Sequence, residues 1–348
     1  MTKPDILLVD WLGRGGIAHT TVAWQRELLA LGHHPLVMTR GGRELSELAP
    51  EVAAVSSSFG AVAGHVRLIG AIAREIRASR PAWIVLAGTV APELEVTLVP
   101  VARASKTKIC IVAHEASSPN RTPLKGPALR ALWRSGDAVV CHSHFVGDAI
   151  QRLEPAAHLV YLALPKTSCL LDEMEGARPL LMPDDRLLSL TFGQLQKSYK
   201  GVDLVSQIAA QAGPEWRFAL VGSGAPGNSA RVERYPGFFS AGRLAATVAT
   251  ADVVLLPYRH ASQSGAVVLA QEVGTPVVAS AVGGIPEQIE HGVTGLLVAP
   301  DAAPSAWLSA LDLLADPGER QRLARSALAH IEEQQRSFAA SIRRVIND

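Results

Sequence analysis

Cysteine is scarce: three residues in 348, Cys110, Cys141 and Cys169. That is an odd number at no metal-like spacing, which argues against a disulfide framework. Cys110 and Cys141 also lie in apolar runs, where the residue acts as a small hydrophobe, so a reducing cytoplasm is the expected setting. An excess of one charge is missing too. Lys plus Arg is 33 and Asp plus Glu is 32, for a net charge of +1. The broad basic surface of a nucleic-acid binder is therefore absent, and no nucleic-acid partner is predicted. No uncharged apolar stretch reaches the ~18 residues that a bilayer-spanning helix needs. The opening MTKPDILLVD has only a short apolar run before Asp10 and lacks the h-region of a secretory signal. The expected location is cytoplasmic, with any membrane contact peripheral and on the inner face. Hydrophobic residues at 48% against 19% charged exclude disorder as the dominant state. The length suits two domains of ~150 residues.

What is present is an alternation. Apolar runs of strand length occur at Ile6 to Val9, Pro35 to Met38, Trp83 to Ala87, Ile109 to Ala113 and Ala138 to Cys141, with helix-compatible sequence between them. Branched residues and flanking Gly, Pro or Asp favour buried strands, which predicts a parallel sheet covered by helices. Pro165, Pro179 and Pro183 then interrupt the pattern. It resumes at Leu187 to Phe192, Phe218 to Val221, Val253 to Leu256, Val277 to Ala279 and Leu296 to Val298. The expected organisation is a first α/β domain over 1–165, a linker over 166–185, a second α/β domain over 186–330 and a terminal helix over 331–348 covering the domain junction. In such open sheets ligands bind beyond the carboxyl ends of the strands.

Four segments after strands carry chemistry. GRGGIAHT, Gly13 to Thr20, follows the first strand. Its adjacent glycines allow close backbone approach, and the helix start beyond them attracts anions, although the spacing is not GxGxxG. His114 and Glu115 follow Ile109 to Ala113 and lead into Ser117, Ser118, Pro119, Asn120 and Arg121. A histidine there can hydrogen-bond a ligand hydroxyl or move a proton, or can simply pack. No metal site is predicted, since no ligand spacing surrounds it and His142 and His144 are too close in sequence for a helical pair. In GQLQKSYKGVD, Gly193 to Asp203, Lys200 precedes Gly201 at a helix start, so a cation and helix amides can converge on a phosphate. In Asp252 to Val298, Ser264 and Gly265 place backbone amides at another helix start, while Gly283 and Gly284 precede Pro286 at a third.

Gly15 to Ala18, the Lys-Gly step of Gly193 to Asp203, and above all GTPVVASAVGGIPEQIEHGVTGLLV resemble the GT-B nucleotide-sugar glycosyltransferases, specifically glycosyltransferase family 4. The resemblance implies an α/β fold of two Rossmann-like domains whose parallel sheets face a central cleft, the first binding acceptor and the second donor. It implies metal-independent transfer with retention, from a nucleotide diphosphate sugar to a hydroxyl of a small-molecule, glycan or lipid-linked acceptor, with no cofactor. Gly15 and Gly16 then approach the reacting phosphate and sugar. His114 contacts the sugar, and Lys200 holds the diphosphate, which makes His114 and Lys200 the catalytic candidates. Gln194 stands where the family's Arg is usual, and Ser264, Gly265 and Ala266 complete the donor site. The family's Glu-x7-Glu positions read Ala261 and Leu269, and SQSGAVVLA resembles a subset with Ser-Gly in this loop. The departures leave two alternatives of other kinds: a non-catalytic GT-B subunit that stabilises a partner transferase, and a sugar-nucleotide epimerase.

Two further expectations concern particular residues. The stretch 123–134, PLKGPALRALWR, mixes Lys125, Arg130 and Arg134 with Leu129, Leu132 and Trp133, and reads either as an acceptor-side face resting on anionic lipid or as a surface helix packed on the core. Gly16 and Gly265 are expected to be small because backbone there must approach a ligand closely, and a Cβ would either clash or forbid a positive φ.

Overall fold

The computed structural model describes residues 3–40, 45, 52–54, 61–116, 124–167, 174–224 and 231–347. Serines 117 and 118 through Arg121, Pro123 and Cys169 lie outside the described residues. The chain divides into two compact units, 1–165 with 336–348, and 166–335.

The strands are β1 (Ile6–Asp10), β2 (Pro35–Thr39), β3 (Val52–Ala54), β4 (Trp83–Leu86), β5 (Lys108–Ala113), β6 (Ala138–Cys141) and β7 (Leu159–Tyr161) in the first unit. In the second they are β8 (Leu187–Phe192), β9 (Trp216–Gly222), β10 (Val232–Pro236), β11 (Val253–Leu256), β12 (Val277–Ser280) and β13 (Leu296–Val298). The first sheet has the order β3-β2-β1-β4-β5-β6-β7 and the second β10-β9-β8-β11-β12-β13. Every pairing is parallel, for example Leu8 opposite both Val37 and Val85, and Leu190 opposite both Ala219 and Val254. Both sheets are thus doubly wound, with the strand order reversing between β1 and β4 and between β8 and β11. Ligands of such folds bind at these two reversals.

All ten apolar runs read from the sequence are strands, and the three strands not anticipated, β3, β7 and β10, lie at sheet edges. An edge strand has one neighbour and needs less apolar surface. Leu159–Tyr161 is only partly covered, and Val232–Pro236 carries Glu233 and Arg234 and ends in a proline that an edge position tolerates.

Alternating side chains build two cores on the second sheet. On one face Leu190, Phe192, Val221, Val254 and Leu256 meet Val248 and Val267, and on the other Phe218, Leu220, Val253 and Leu255 meet Val205, Ile208 and Trp307. On the first sheet, Leu7, Val9 and Ile84 pack with Leu68, Ile72 and Ile76 of the helix Ala61–Ser79.

The segment that interrupts the pattern belongs to the second unit where it is described. Leu181 is buried in its core, the Leu180 N–H donates to Thr247 Oγ1 (2.9 Å), and Lys166 pairs with Glu332. A single helix, Pro317–Asn347, ends the chain, and its course passes from one unit to the other at 335–336. Its last part supplies Phe338, edge-on to Trp24 at 6.1 Å, and Ile346, whose carbonyl accepts from Trp83 Nε1 (3.0 Å).

Candidate functional site

In the second unit the loop after β8 is shaped by Gly201. Its φ is +65°, and a Cβ there would fall 1.9 Å from the Pro257 carbonyl oxygen, so only glycine lets this loop close against the end of β11. The close approach places Lys200 beside the residue after Pro257. Lys200 Nζ donates to the Tyr258 hydroxyl (2.7 Å) and lies 3.9 Å from the Tyr258 ring centroid. The Arg259 N–H donates to Tyr199 O (2.8 Å), its guanidinium donates to Ser198 O (2.9 Å), and it pairs with Asp203. The loops that follow β8 and β11 are therefore laced together at the strand-order reversal.

Tyr258 is buried, and its phenol feels the side chain of Ser264, the N-cap of the helix Gly265–Glu272, which opposes the effect of burial. Ser264 is itself gripped. Its N–H donates to Gln288 Oε1 (2.7 Å), Gln288 Nε2 donates back to its carbonyl (3.2 Å), and Gln271 Nε2 donates to Gln288 O (2.9 Å). Beyond this anchor the helix begins with exposed Gly265 and half-buried Ala266 and has no acid in its first turn. The helix Val202–Gln211, by contrast, carries Asp203 in its first turn. Of the two helix starts, the one at Gly265 suits an anion and the one after Lys200 does not. Burial lowers the pKa of Lys200 and raises that of Tyr258, so Tyr258 is a neutral phenol beside an ammonium.

Gln194 and Lys197 are exposed. Leu269 is seated in the apolar core and Ala261 packs against it, so neither position at which the family carries a carboxylate offers a polar site. Glu272 is buried and bonded to the Thr167 hydroxyl, and Glu287 is exposed.

In the first unit, Asp10 ends β1 fully buried. Its carboxylate accepts from the N–H groups of Leu12 (3.0 Å) and Gly13 (2.7 Å) and from Thr21 Oγ1 (3.3 Å), which folds the turn that starts the helix Gly15–Ala30. Gly15 has a φ of +67°. Neither Gly16 nor Gly265 has the positive φ that was one expected reason for glycine, and among the described residues nothing lies within 4 Å of a Cβ added to either.

His114 follows β5 and is packed at the other side of the first reversal. A Cβ on Gly88, after β4, would lie 3.3 Å from both the His114 ring and the Ile17 side chain, so His114 sits beside the glycine turn. Its ring centroid is 5.5 Å from that of His142, whose Nδ1 lies 3.0 Å from Leu162 O. Burial, and the neighbouring His142, hold the His114 pKa down to about 3, and burial holds His142 to about 4. Near neutrality both imidazoles are uncharged, which suits His114 to hydrogen bonding.

The described part of the stretch 123–134 forms the helix Lys125–Ser135. Leu129, Leu132 and Trp133 face the first core, and Arg134 pairs with Glu154 (2.7 Å). The apolar side of this helix is thus occupied by the protein itself. What it turns outward is Leu124, Gly126, Pro127, Arg130, Ala131 and Arg134. Among the described residues, no helix is long and apolar enough to cross a membrane, and no group of three or more His, Cys, Asp or Glu side chains could hold a metal ion.

Sequence spacing singled out Lys200, Ser264, Gly265 and Ala266, and the structure gathers them at one sheet end. It missed Tyr258, Gln288, Gln271 and Asp10. Gln288 lies 24 residues beyond Ser264 and Tyr258 lies 58 beyond Lys200, separations that leave no local pattern to read.

The comparisons with known proteins agree with this architecture. The backbone matches sucrose-phosphate synthase from Thermosynechococcus elongatus with a TM-score of 0.77 at 18% identity, covering 99% of this chain and 98% of that one. Anabaena HepE in complex with UDP-glucose gives 0.74 at 18% identity, covering 98% of both chains. The fold is that of the GT-B glycosyltransferases. Within this GT-B chain, residues 186–316 match the family described as glycosyl transferases group 1. Among curated relatives, a D-inositol 3-phosphate glycosyltransferase of Acidothermus cellulolyticus is 34% identical over 185 residues, 46% of this chain and 40% of the relative. One from Corynebacterium aurimucosum is 36% identical over 174 residues, 44% of this chain and 41% of the relative. The GT-B chain spans less than half the length of these relatives.

Proposed function

We propose that the protein is a glycosyltransferase that moves a sugar from a nucleotide diphosphate sugar to an acceptor hydroxyl, with retention at the anomeric carbon and without a metal ion. The observation that carries this reading is the placing of a cation, Lys200, after β8 and of the unburdened start of the helix Gly265–Glu272 after the neighbouring β11, at the strand-order reversal of the second sheet. The glycosyl transferases group 1 match over 186–316 includes both elements.

The chemistry follows from the charges. As the bond between the anomeric carbon and the diphosphate oxygen breaks, negative charge grows on the departing diphosphate. A fixed ammonium and fixed amides stabilise that charge without reorganising. The new bond forms from the acceptor oxygen to the same carbon, and the acceptor proton passes to an oxygen of the departing phosphate. No protein carboxylate is then required at Ala261 or Leu269. Gly15, Gly16 and His114 take the roles implied by the family, contact with phosphate and sugar, and the neutral imidazole of His114 hydrogen-bonds a sugar hydroxyl. Membrane contact, if the acceptor is lipid-linked, would rest on Lys125 and Arg130, because the apolar face of their helix is buried.

A thermal-shift panel of UDP, GDP, ADP, TDP and CMP tests the donor site. A true ligand at 100 times its dissociation constant adds about 2.7 kcal/mol of stability. No shift with any of the five removes the main support for the reading. The nucleotide sugar of the base that binds is then assayed for transfer, and inversion at the anomeric carbon would refute the retaining mechanism.

A further inference from the structure

A cation that is to receive a diphosphate must be held in place without being neutralised. Among the described residues no carboxylate pairs with Lys200, whereas Arg259 next door is paired with Asp203. The partner of Lys200 is a phenol. Tyr258 lies immediately after β11 and Pro257, is 1% exposed, and offers both a hydroxyl at 2.7 Å and a ring face at 3.9 Å. The oxygen orients the ammonium, and the ring stabilises it while it is partly withdrawn from water. Neither cancels its charge. The same phenol also feels the side chain of Ser264, which opposes the effect of burial on it, and the Ser264 backbone is clamped by Gln288.

We propose that Tyr258 is a positioning residue that joins Lys200 to the first turn of the helix Gly265–Glu272, so that the cation and the helix amides meet the diphosphate of a nucleotide as one preset unit. This inference rests on the donor-site reading above. A carboxylate in place of Tyr258 would hold Lys200 equally well but would also consume the charge that the diphosphate needs. A loose lysine would keep its charge but would have to be ordered at each binding event, at a cost in side-chain entropy. The phenol avoids both. Because Ser264 is fixed through Gln288, the orientation given to Lys200 is referenced to the helix that supplies the amides.

The test is a double-mutant cycle read by isothermal titration calorimetry, with inorganic pyrophosphate, UDP, GDP and ADP as probes. The proteins are the full-length wild type, Tyr258→Phe, Lys200→Met and the double variant, each checked for its fold by circular dichroism. Tyr258→Phe keeps the ring and the packing. It is expected to weaken the bound probe about 5-fold and Lys200→Met about 10-fold or more, and the double variant should be no more than about twofold weaker than Lys200→Met, because Tyr258 acts through Lys200. With the donor that binds, Tyr258→Phe should lower kcat about 10-fold and move KM much less, since orientation matters most as charge grows on the leaving group. Effects that multiply in the double variant would show that Tyr258 acts independently of Lys200 and would overturn the proposal. So would a normal affinity and kcat for Tyr258→Phe alongside a damaged Lys200→Met. If Lys200→Met itself binds normally, or the wild type binds none of the four probes, the donor-site reading fails and this inference with it. If Tyr258→Phe does not fold, Ser264→Ala cuts the same chain at its other end, and its effect on probe affinity must likewise vanish in the Lys200→Met background.

Discussion

Replacing Lys200 with methionine isolates the charge from the packing. Methionine is close to the lysine stem in length, so the variant removes an ammonium, one hydrogen bond of 2.7 Å and two ring contacts, 3.9 Å from the Tyr258 centroid and 5.4 Å from that of Tyr199. The lost hydrogen bond costs folding about 1 kcal/mol. Relief of the burial that already lowers the lysine's pKa offsets part of that cost. The protein should therefore remain folded. The cost to turnover is of another size. On the proposed reading Lys200 acts most strongly as charge develops on the departing diphosphate, and losing one such group lowers turnover by ~100-fold or more. That corresponds to about 2.7 kcal/mol of barrier. Lys197 is the internal control. It lies three residues earlier in the same loop and is exposed, so Lys197→Met should change turnover little. The assay is initial-rate transfer from the nucleotide sugar selected by the binding panel, with both variants at matched donor saturation. The charge also predicts a pH signature. Because the Lys200 pKa lies below the ordinary lysine value of 10.5, the reactive cation is lost as pH rises at a lower pH than for an exposed lysine, and the rate should fall on that alkaline limb. Equal, small effects of the two methionine substitutions in an active enzyme would refute the leaving-group role.

Three other outcomes follow from particular contacts. His114 and His142 have folded pKa values of about 3 and about 4 against an ordinary 6.5, so the unfolded chain takes up protons first. Their contribution is complete above pH 6.5 and lost as pH falls towards 4, by up to about 2 kcal/mol per histidine at pH 5. His142→Asn should flatten the melting temperature between pH 7 and pH 5, and a wild type whose melting temperature does not change over that range would contradict the assignment. Gly16→Ala and Gly265→Ala meet no atom of the described residues within 4 Å and should leave stability within ~1 kcal/mol while reducing turnover. Gly201→Ala forces a Cβ to 1.9 Å from Pro257 O and should cost about 3 kcal/mol or more in denaturant titrations. If the first two variants kept full activity, no ligand would approach those glycines. Gln288→Ala strips the buried Ser264 N–H of its acceptor and should destabilise by about 1–3 kcal/mol. Donor affinity measured by calorimetry should fall with it, and an unchanged affinity would show that the clamp on Ser264 does not serve the site.

Sequence alone determined two α/β layers built on parallel strands. Parallel strands covered on both faces must be apolar on both, and runs such as Leu187 to Phe192 and Val253 to Leu256 therefore stand out without knowledge of their neighbours. It also determined that Lys200, Gly201, Ser264 and Gly265 follow strands, because the alternation fixes where each strand ends. It could not show β3, β7 and β10, since edge strands with one neighbour are released from that apolar demand. Nor could it tell which way the apolar side of Lys125–Ser135 turns. A period of 3.6 describes a face, while the partner of that face, here the core around Leu129, Leu132 and Trp133, is a tertiary choice. The same holds for His114, whose charge state depends on burial against Gly88 and on His142. It holds most of all for the cation. The Lys-Gly step is legible as a motif, but its physical cause, the Pro257 carbonyl pressed against Gly201, and its consequence, Lys200 on Tyr258, arise only when loops 58 residues apart close on each other.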